Sequence, residues 1–323
     1  LSPYLTDLTF VVFISLIPSC MVVTYYHGRP GRDRWVRVEK AMLPVNIIAT
    51  IILVFFLFKG KDLGALSQKV TLEDETGQKI ERTVPKSRYR KKALLYYFEN
   101  KSGDASLDWM QYGVPYMLEI DLVQDQFLDI TTPADPTVYF TFSVYEKLKD
   151  AGYKEALNIP LSLKKKVTQE AHKEYFLAGN IFKEQDLYTV ESSIYKSQNA
   201  KLVIKRKFQG QNLFQLIDDM SVQVKRDLDI PEGHLDEVID LPMEETFTRS
   251  LEAARLYTLG QNACVFERNW TKAQQYYKQS IKEDPSFAYS HLALLAMAQI
   301  TSQKKKAAEV VDTLMKHIHR LPE

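Results

Sequence analysis

Two long runs of apolar residues dominate the start of the chain. Residues 8–26 and 41–58 contain no charged side chain. At ~1.5 Å per residue, each run is about long enough to cross a bilayer core of ~30 Å. A buried helix of a soluble protein is the alternative, but it normally shows a polar stripe, whereas residues 53–58 are apolar on every face. The pattern therefore predicts a two-helix transmembrane anchor within residues 1–58.

The segment between the two runs is short and basic. Basic residues on a short loop favour the cytoplasmic side of a membrane. The flank before the first run offers only Asp7. The soluble remainder, from Lys59 onward, is then expected on the opposite side, which in a bacterium is the periplasm. The loop cations are Arg29, Arg32, Arg34, Arg37 and Lys40.

After the membrane runs, the pattern changes to short strands alternating with helices. Residues 59–92 predict a β-hairpin, turning at Thr76-Gly77, and then a basic linker. The basic run 86–92 is read as a solvated linker, with contact to anionic lipid headgroups as the alternative.

Residues 93–229 predict a mixed α/β domain with a three-stranded antiparallel end. Within it, residues 107–124 predict an amphipathic helix with one apolar face. Leu202 and Ile204 predict a strand with one buried face. Residues 230–246 contain two prolines and a glycine and are interpreted as a linker.

Residues 247–323 are helical throughout and contain a repeat. Ala273 and Ala307 are 34 residues apart, the period of a tetratricopeptide unit. Gly260 falls one residue further from Ala273 than the consensus places it, so the first unit is imperfect. Two or fewer units cannot form a free-standing array. They must lean on the α/β domain, on repeats beyond Glu323, or on another protein.

The helical tail offers two candidate partner surfaces. The first is the uncovered end of the stack, where apolar side chains must face solvent or a partner. The second is the groove formed by the first helices of the repeats. The end residues are Leu314, Met315 and Ile318, and the groove residues are Tyr257, Gln261, Tyr289 and Leu292.

Three segments of the chain together resemble the TolB-like amino-terminal domain, namely residues 95–104, 107–113 and 175–179. The loop from His27 to Arg32 also looks like the anchor of bacterial proteins that carry this domain between a membrane anchor and tetratricopeptide repeats. The resemblance implies that such an arrangement covers nearly the whole chain. Relatives often have a further membrane helix upstream, which fits a chain that begins at Leu1 and not at Met. The family turn motif is Asn100, Ser102, Gly103 and Asp104.

Composition and motifs narrow the function classes. The net charge is +1, which provides no basic face for nucleic acid. The sequence carries no metal, nucleotide or catalytic motif, so we expect no cofactor, no metal and no enzyme activity. The pair Asp218-Asp219 points in two directions on a helix, and His317 and His319 do likewise. Asp104 and Asp108 are read as helix caps that would repel an anion at Gly103.

The sequence therefore predicts a non-enzymatic, membrane-anchored periplasmic adaptor or scaffold subunit. It would bind a partner membrane protein complex through its α/β and tetratricopeptide domains. The alternative is an extracytoplasmic sensor that binds a ligand and signals across the membrane. That alternative needs an effector, and the basic loop is too small to be one.

The predicted orientation can be tested by cysteine labelling. A cysteine introduced next to Arg32 should stay unlabelled by a membrane-impermeant reagent in cells whose outer membrane is permeabilised. The basic loop is expected to stay in the cytoplasm, beyond the reagent's reach. Labelling before the inner membrane is broken would contradict the orientation.

Overall fold

The structure is a computed structural model. It describes residues 4–27, 35–59, 63–64, 67–73, 79–86, 89–134, 143–235, 240–300, 310–311 and 313–318. The chain divides into two compact units, Leu1–Tyr89 and Arg90–Glu323.

Two long apolar helices begin the first unit. α1 spans Tyr4–Tyr26 and α2 spans Arg37–Phe58, so both extend beyond the predicted runs. Both are long and apolar enough to cross a membrane, and almost none of their residues are buried inside the protein. Of the predicted loop cations, Arg37 and Lys40 lie in the first turn of α2. Arg29, Arg32 and Arg34 lie outside the described residues.

Polar side chains join α1 and α2 at two places. The Asn46 side chain donates to the Ser15 carbonyl at 2.9 Å and to the Ser19 hydroxyl at 2.6 Å. At the loop end of the pair, His27 Nε2 lies 2.7 Å from the buried Glu39 carboxylate. Many large apolar side chains therefore face outward while these polar contacts join the pair, and Thr9, Thr24 and Thr50 bond within their own helices.

A β-hairpin follows in the same unit. β1 (Ser67–Glu73) pairs antiparallel with β2 (Lys79–Pro85), and Glu73 stands opposite Lys79. The alternating pattern predicted this hairpin. Its predicted turn residues, Thr76 and Gly77, lie outside the described residues.

The second unit is built on one mixed sheet in the order β5-β3-β6-β7-β8, with β4 beside β6. β3 is parallel to both β5 and β6, whereas β6, β7 and β8 are antiparallel. The expected three-stranded antiparallel end is therefore present. The strands are β3 (Lys91–Leu95), β4 (Glu99–Asn100), β5 (Leu128–Thr131), β6 (Tyr175–Glu184), β7 (Leu187–Lys196) and β8 (Leu202–Gly210).

Four helices pack with this sheet: α3 (Met110–Leu122), α4 (Ser143–Asp150), α5 (Leu161–Glu170) and α6 (Leu213–Asp227). In α3, every residue except Gln111 is buried. The expected amphipathic helix is therefore wrong in two respects. The α-helix itself is shorter, because Ala105–Leu107 form a separate 3₁₀ helix. It also has no solvent face, because other elements cover it on all sides.

β8 also differs from its prediction. Leu202 is 46% exposed, and Ile204 is only half-buried. The strand lies at the edge of the sheet, where α6 covers it on one side only partly. A single buried face was therefore too simple an expectation.

The described parts of the predicted linker, residues 230–235 and 240–246, contact α3, α6 and Asp125, which follows α3; we call these two segments the strap. It contains two short helices, α7 (Glu232–Leu235) and α8 (Met243–Thr246). His234 contacts the buried Asp125 at 3.0 Å, and the Met243 amide donates to Asp218 at 2.9 Å.

Three further helices follow: α9 (Leu251–Val265), α10 (Trp270–Glu283) and α11 (Ala288–Ile300). α9 and α10 approach closely because Gly260 has no side chain. A Cβ there would lie 2.4 Å from the Tyr277 ring. Ser280 continues the seam by donating to the Ala253 carbonyl at 2.8 Å. Ala273, which the repeat pattern aligned with Ala307, is buried in α10, and so are Tyr277 and Ser280.

The helices lean on the α/β part of the same unit. α9 packs on α3, where a Cβ at Gly113 would lie 3.2 Å from the Thr258 hydroxyl. Phe266, just past α9, packs with its ring against Tyr97, Tyr112 and Tyr145. Of the supports that the sequence left open, the α/β domain is therefore one that these helices use.

Gly260→Ala should lower the free energy of unfolding. Alanine favours a helix over glycine by about 1 kcal/mol, but overpacking a rigid core costs about 1–3 kcal/mol. Tyr277 is fully buried and has no room to move, so the cost should prevail. Chemical denaturation in mild detergent measures the change. Gly210→Ala is the control, because its Cβ would meet only ordinary contacts at 3.6 Å and beyond. Equal stability of the two variants would contradict this packing.

Candidate functional site

The family turn motif forms a closed hydrogen-bond network. Asn100 Oδ1 accepts from the Ser102 amide at 3.0 Å and from its hydroxyl at 2.6 Å. Asn100 Nδ2 donates to the Asp104 carbonyl at 2.9 Å and to Asp108 Oδ1 at 2.8 Å. Gly103 adopts a φ of 77°, a left-handed conformation that favours glycine.

This network starts a helix. Asp104 is the N-cap of the 3₁₀ helix and accepts from the Ser106 amide at 2.8 Å. Hydrogen bonds from Ser106 hold the pKa of the Asp104 carboxyl below its usual range. Asp108 does not cap a helix start, but accepts from Asn100 instead. The polar groups of the motif are thus engaged in positioning the chain that enters α3.

The predicted groove of the helical tail is closed. Tyr257, Gln261 and Tyr289 are each buried, and Leu292 is half-buried. Gln261 donates to the Tyr257 hydroxyl at 2.6 Å, and the Tyr257 ring packs against Phe247 and Phe287. Tyr257, Gln261 and Tyr289 therefore belong to the core and do not line an open groove, whereas Leu292 keeps part of its surface exposed.

The end of the helical tail stays partly open. Leu314 is buried, whereas Met315 and Ile318 are 58% and 48% exposed. Val311 is 38% exposed and precedes them at helical spacing. We call Val311, Met315 and Ile318 the terminal apolar patch. Beside it, the ring of His317 lies parallel to that of His291, and His319 lies outside the described residues.

A buried cluster of charged groups lies where α3, α6 and the strap meet. Lys225 donates to Asp240 at 2.6 Å, and both Lys225 and Asp121 are only 2% exposed. Burial, and next the charge of Asp240, raises the pKa of Asp121 to about 8. At neutral pH this carboxyl therefore tends to hold its proton.

Sequence reasoning missed this cluster, although a signal was present. Asp121 occupies one of the helically spaced apolar positions of residues 107–124. An acid at such a position needs a partner or a proton. The partners come from residues about 100 positions away along the chain, so spacing alone did not reveal them.

The remaining acidic and cysteine side chains considered in the sequence do not form a shared site. Asp218 accepts from Met243, while Asp219 accepts from Gln215. Burial raises the pKa of the Cys264 thiol to about 11, which leaves it protonated. Cys20 and Cys264 are both free. Within the described ranges, no group of three or more histidine, cysteine or acidic residues is placed to hold a metal ion.

Comparisons with known proteins find distant likeness in structure alone. No family model and no curated protein matches the chain. The LpoB C-terminal domain from Salmonella enterica matches at 11% identity over 38% of this chain and 84% of that one, with a TM-score of 0.28. A PelC dodecamer from Paraburkholderia phytofirmans matches at 11% identity, covering 42% of this chain and 86% of that one (TM-score 0.27). TolB from Acinetobacter baumannii matches at 13% identity, covering 50% and 30%, with a TM-score of 0.28.

These likenesses concern α/β domains, and one of them is to TolB, the protein named in the resemblance above. The three TM-scores are all below 0.5, so no conclusion about function is drawn from them.

The Asp121 carboxyl predicts how stability depends on pH. Its pKa is 3.8 in a model peptide and about 8 in the fold. Between those values the folded protein holds a proton that the unfolded chain releases, so stability should fall as pH rises from about 4 to about 8. Asp121→Asn should flatten this fall, because the amide cannot ionise.

The measurement is the free energy of unfolding at pH 5 and pH 8, in mild detergent. Asp219→Asn is the matched control on α6, because Asp219 is exposed and should leave the slope unchanged. A slope that survives in Asp121→Asn would show that other groups cause it.

Proposed function

We propose that this protein is a non-enzymatic, membrane-anchored adaptor. α1 and α2 would lie in a bacterial inner membrane, with the Arg90–Glu323 unit in the periplasm. That unit would bind the extracytoplasmic part of a partner membrane protein complex.

The observation that carries the proposal is the exposed apolar surface of α1 and α2. Large side chains such as Phe10, Phe13 and Phe56 are each about two-thirds exposed. A core helix of a soluble protein would bury them, and water would disfavour them by ~25 cal/mol per Å² of apolar surface. Lipid tails would surround the apolar side chains of both helices, while the polar side chain of Asn46 makes its hydrogen bonds inside the pair.

The two helices also argue for an anchor over a cleaved leader. A cleaved signal sequence would account for one apolar helix, but not for a second one that follows it. α2 follows it, is equally apolar, and is joined to α1 by hydrogen bonds.

The helical tail supports the docking role. α9 and α10 pack closely through Gly260, Tyr277 and Ser280, and a closely packed helix pair is what supports a tetratricopeptide-like repeat. The terminal apolar patch is what remains uncovered at the end of these helices. Exposed apolar patches of this kind usually mark interfaces.

The polar residues are used for structure. Asn100 and Asp104 shape a turn, Asp218 holds the strap, and Glu119 accepts from the Thr132 amide and hydroxyl at 2.8 and 2.9 Å. Each of these groups is already engaged, which favours a binding role over a catalytic one.

Membrane extraction and co-purification test the proposal together. The full-length protein should stay in membranes washed with alkaline carbonate and should leave them only with detergent. From a mild detergent extract it should then co-purify with a membrane protein complex. Release by carbonate, or purification as an isolated protein, would contradict the corresponding half of the proposal.

A double variant locates the docking surface. Met315→Glu with Ile318→Glu should remove the partner while the protein itself remains folded, because both side chains are exposed. Leu161→Glu with Leu187→Glu makes the same change at exposed leucines of the α/β part and should keep the partner. Loss of the partner in both variants, or in neither, would show that the terminal apolar patch is not the interface.

A further inference from the structure

We propose that the outer edge of β8 binds an extended, acidic segment of another protein as one further strand of the sheet. This site lies apart from the terminal apolar patch. Its failure would leave the proposed function standing, and the reverse also holds.

β8 offers a long and regular backbone edge. It spans nine residues without proline, and its pairing with β7 has a single irregularity, at Ile194/Tyr195 near the start of β8. Among the described residues, its strand partner lies on one side alone. The backbone N–H and C=O groups on the other side are therefore placed to pair with an incoming strand.

The charge of this edge selects the partner. Residues 192–217 contain five cations and no acidic residue. Four of these cations lie in or directly before β8, and two of the four are already paired. Lys205 contacts Glu191 at 2.8 Å, and Arg206 binds Asp227 through two hydrogen bonds of 2.7 and 3.1 Å. Lys201 and Lys207 are exposed and add to an electropositive edge.

The two faces of β8 would favour different side chains on the incoming strand. Arg206 binds Asp227 of α6. Ile204 and Phe208 are two residues away from Arg206 along the strand, so they lie on the same face, the α6 side. Lys205 and Lys207 lie on the other face. An incoming strand would therefore place acidic side chains opposite these lysines and apolar ones on the α6 side. The expected recognition pattern is acidic and apolar residues in alternation.

A second copy of the same edge does not fit. Pairing β8 with β8 would bring the lysines of one strand against those of the other, and like charges directly opposite each other are destabilising. Lysines on an edge strand normally discourage such pairing. Here the lysines would repel a basic strand and attract an acidic one.

A synthetic peptide of the length of β8, alternating glutamate and valine, tests the site. Its binding to the full-length protein in mild detergent is measured by fluorescence anisotropy. Lys205→Glu with Lys207→Glu should weaken binding about tenfold or more, since two favourable cross-strand pairs become unfavourable. The same variant should prefer a peptide in which lysine replaces glutamate.

Backbone pairing is tested by methylating the peptide amides. Only alternate amides of an added strand face β8. Methylating one alternate set should weaken binding about tenfold, and methylating the other set should change it less than about twofold. Equal effects of the two sets would overturn the proposal, because charge attraction alone would then explain the binding.

Lys278→Glu with Lys282→Glu is the matched control. It makes the same charge change at two exposed lysines of α10. The control should bind the peptide as the unaltered protein does. Equal weakening by both double variants, or no binding of the peptide to the unaltered protein, would overturn the proposal.

Discussion

The architecture of the Arg90–Glu323 unit depends on the burial of α3. Every residue of α3 apart from Gln111 is buried, including the acidic residues Glu119 and Asp121, so the helix must be covered on every side. The sheet and α6 cover part of α3, and its remaining surface would meet water if the chain ended at α6. α9 lies on that surface, and the rings around Phe266 join the α/β part to the helical part. The helices are therefore needed by the α/β part as much as they need it.

The groove residues became core because the tail helices pack against one another. The Tyr257 ring packs with Phe247, Phe287 and Tyr289, and Gln261 donates to the Tyr257 hydroxyl, so these side chains are buried. The strap packs on the α/β part, where α8 contacts α3 and α6. Its charged contacts are specific, because Asp240 must reach Lys225 and His234 must reach Asp125. A buried charge that lost its partner would cost several kcal/mol, so these contacts also hold His234 and Asp240 in place.

Local patterns predicted the elements, and long-range packing decided their environment. The apolar runs, the hairpin, the antiparallel strands and the cap at Asp104 follow from neighbouring residues and were predicted. The burial of α3 on all sides was not predicted, because the residue types of Tyr112, Tyr116 and Glu119 suggest a polar, solvent-facing side. In the structure, the Tyr116 hydroxyl meets that of Tyr97 at 3.0 Å, and Glu119 meets Thr132. Polar atoms that find partners can lie in a core, but a single sequence does not show who the partners are.

The two edges of the sheet are protected in different ways, and the difference has consequences. β5 has four residues, and a short edge offers little for another strand to pair with. β8 has nine residues and relies on its lysines. Shortness excludes every incoming strand alike, whereas charge excludes only strands of the same sign. The basic edge of β8 therefore discriminates between incoming strands by their charge, whereas the short edge of β5 disfavours all of them. The proposed adaptor would gain from such selectivity, because pairing between its own copies would be suppressed while an acidic partner could still bind.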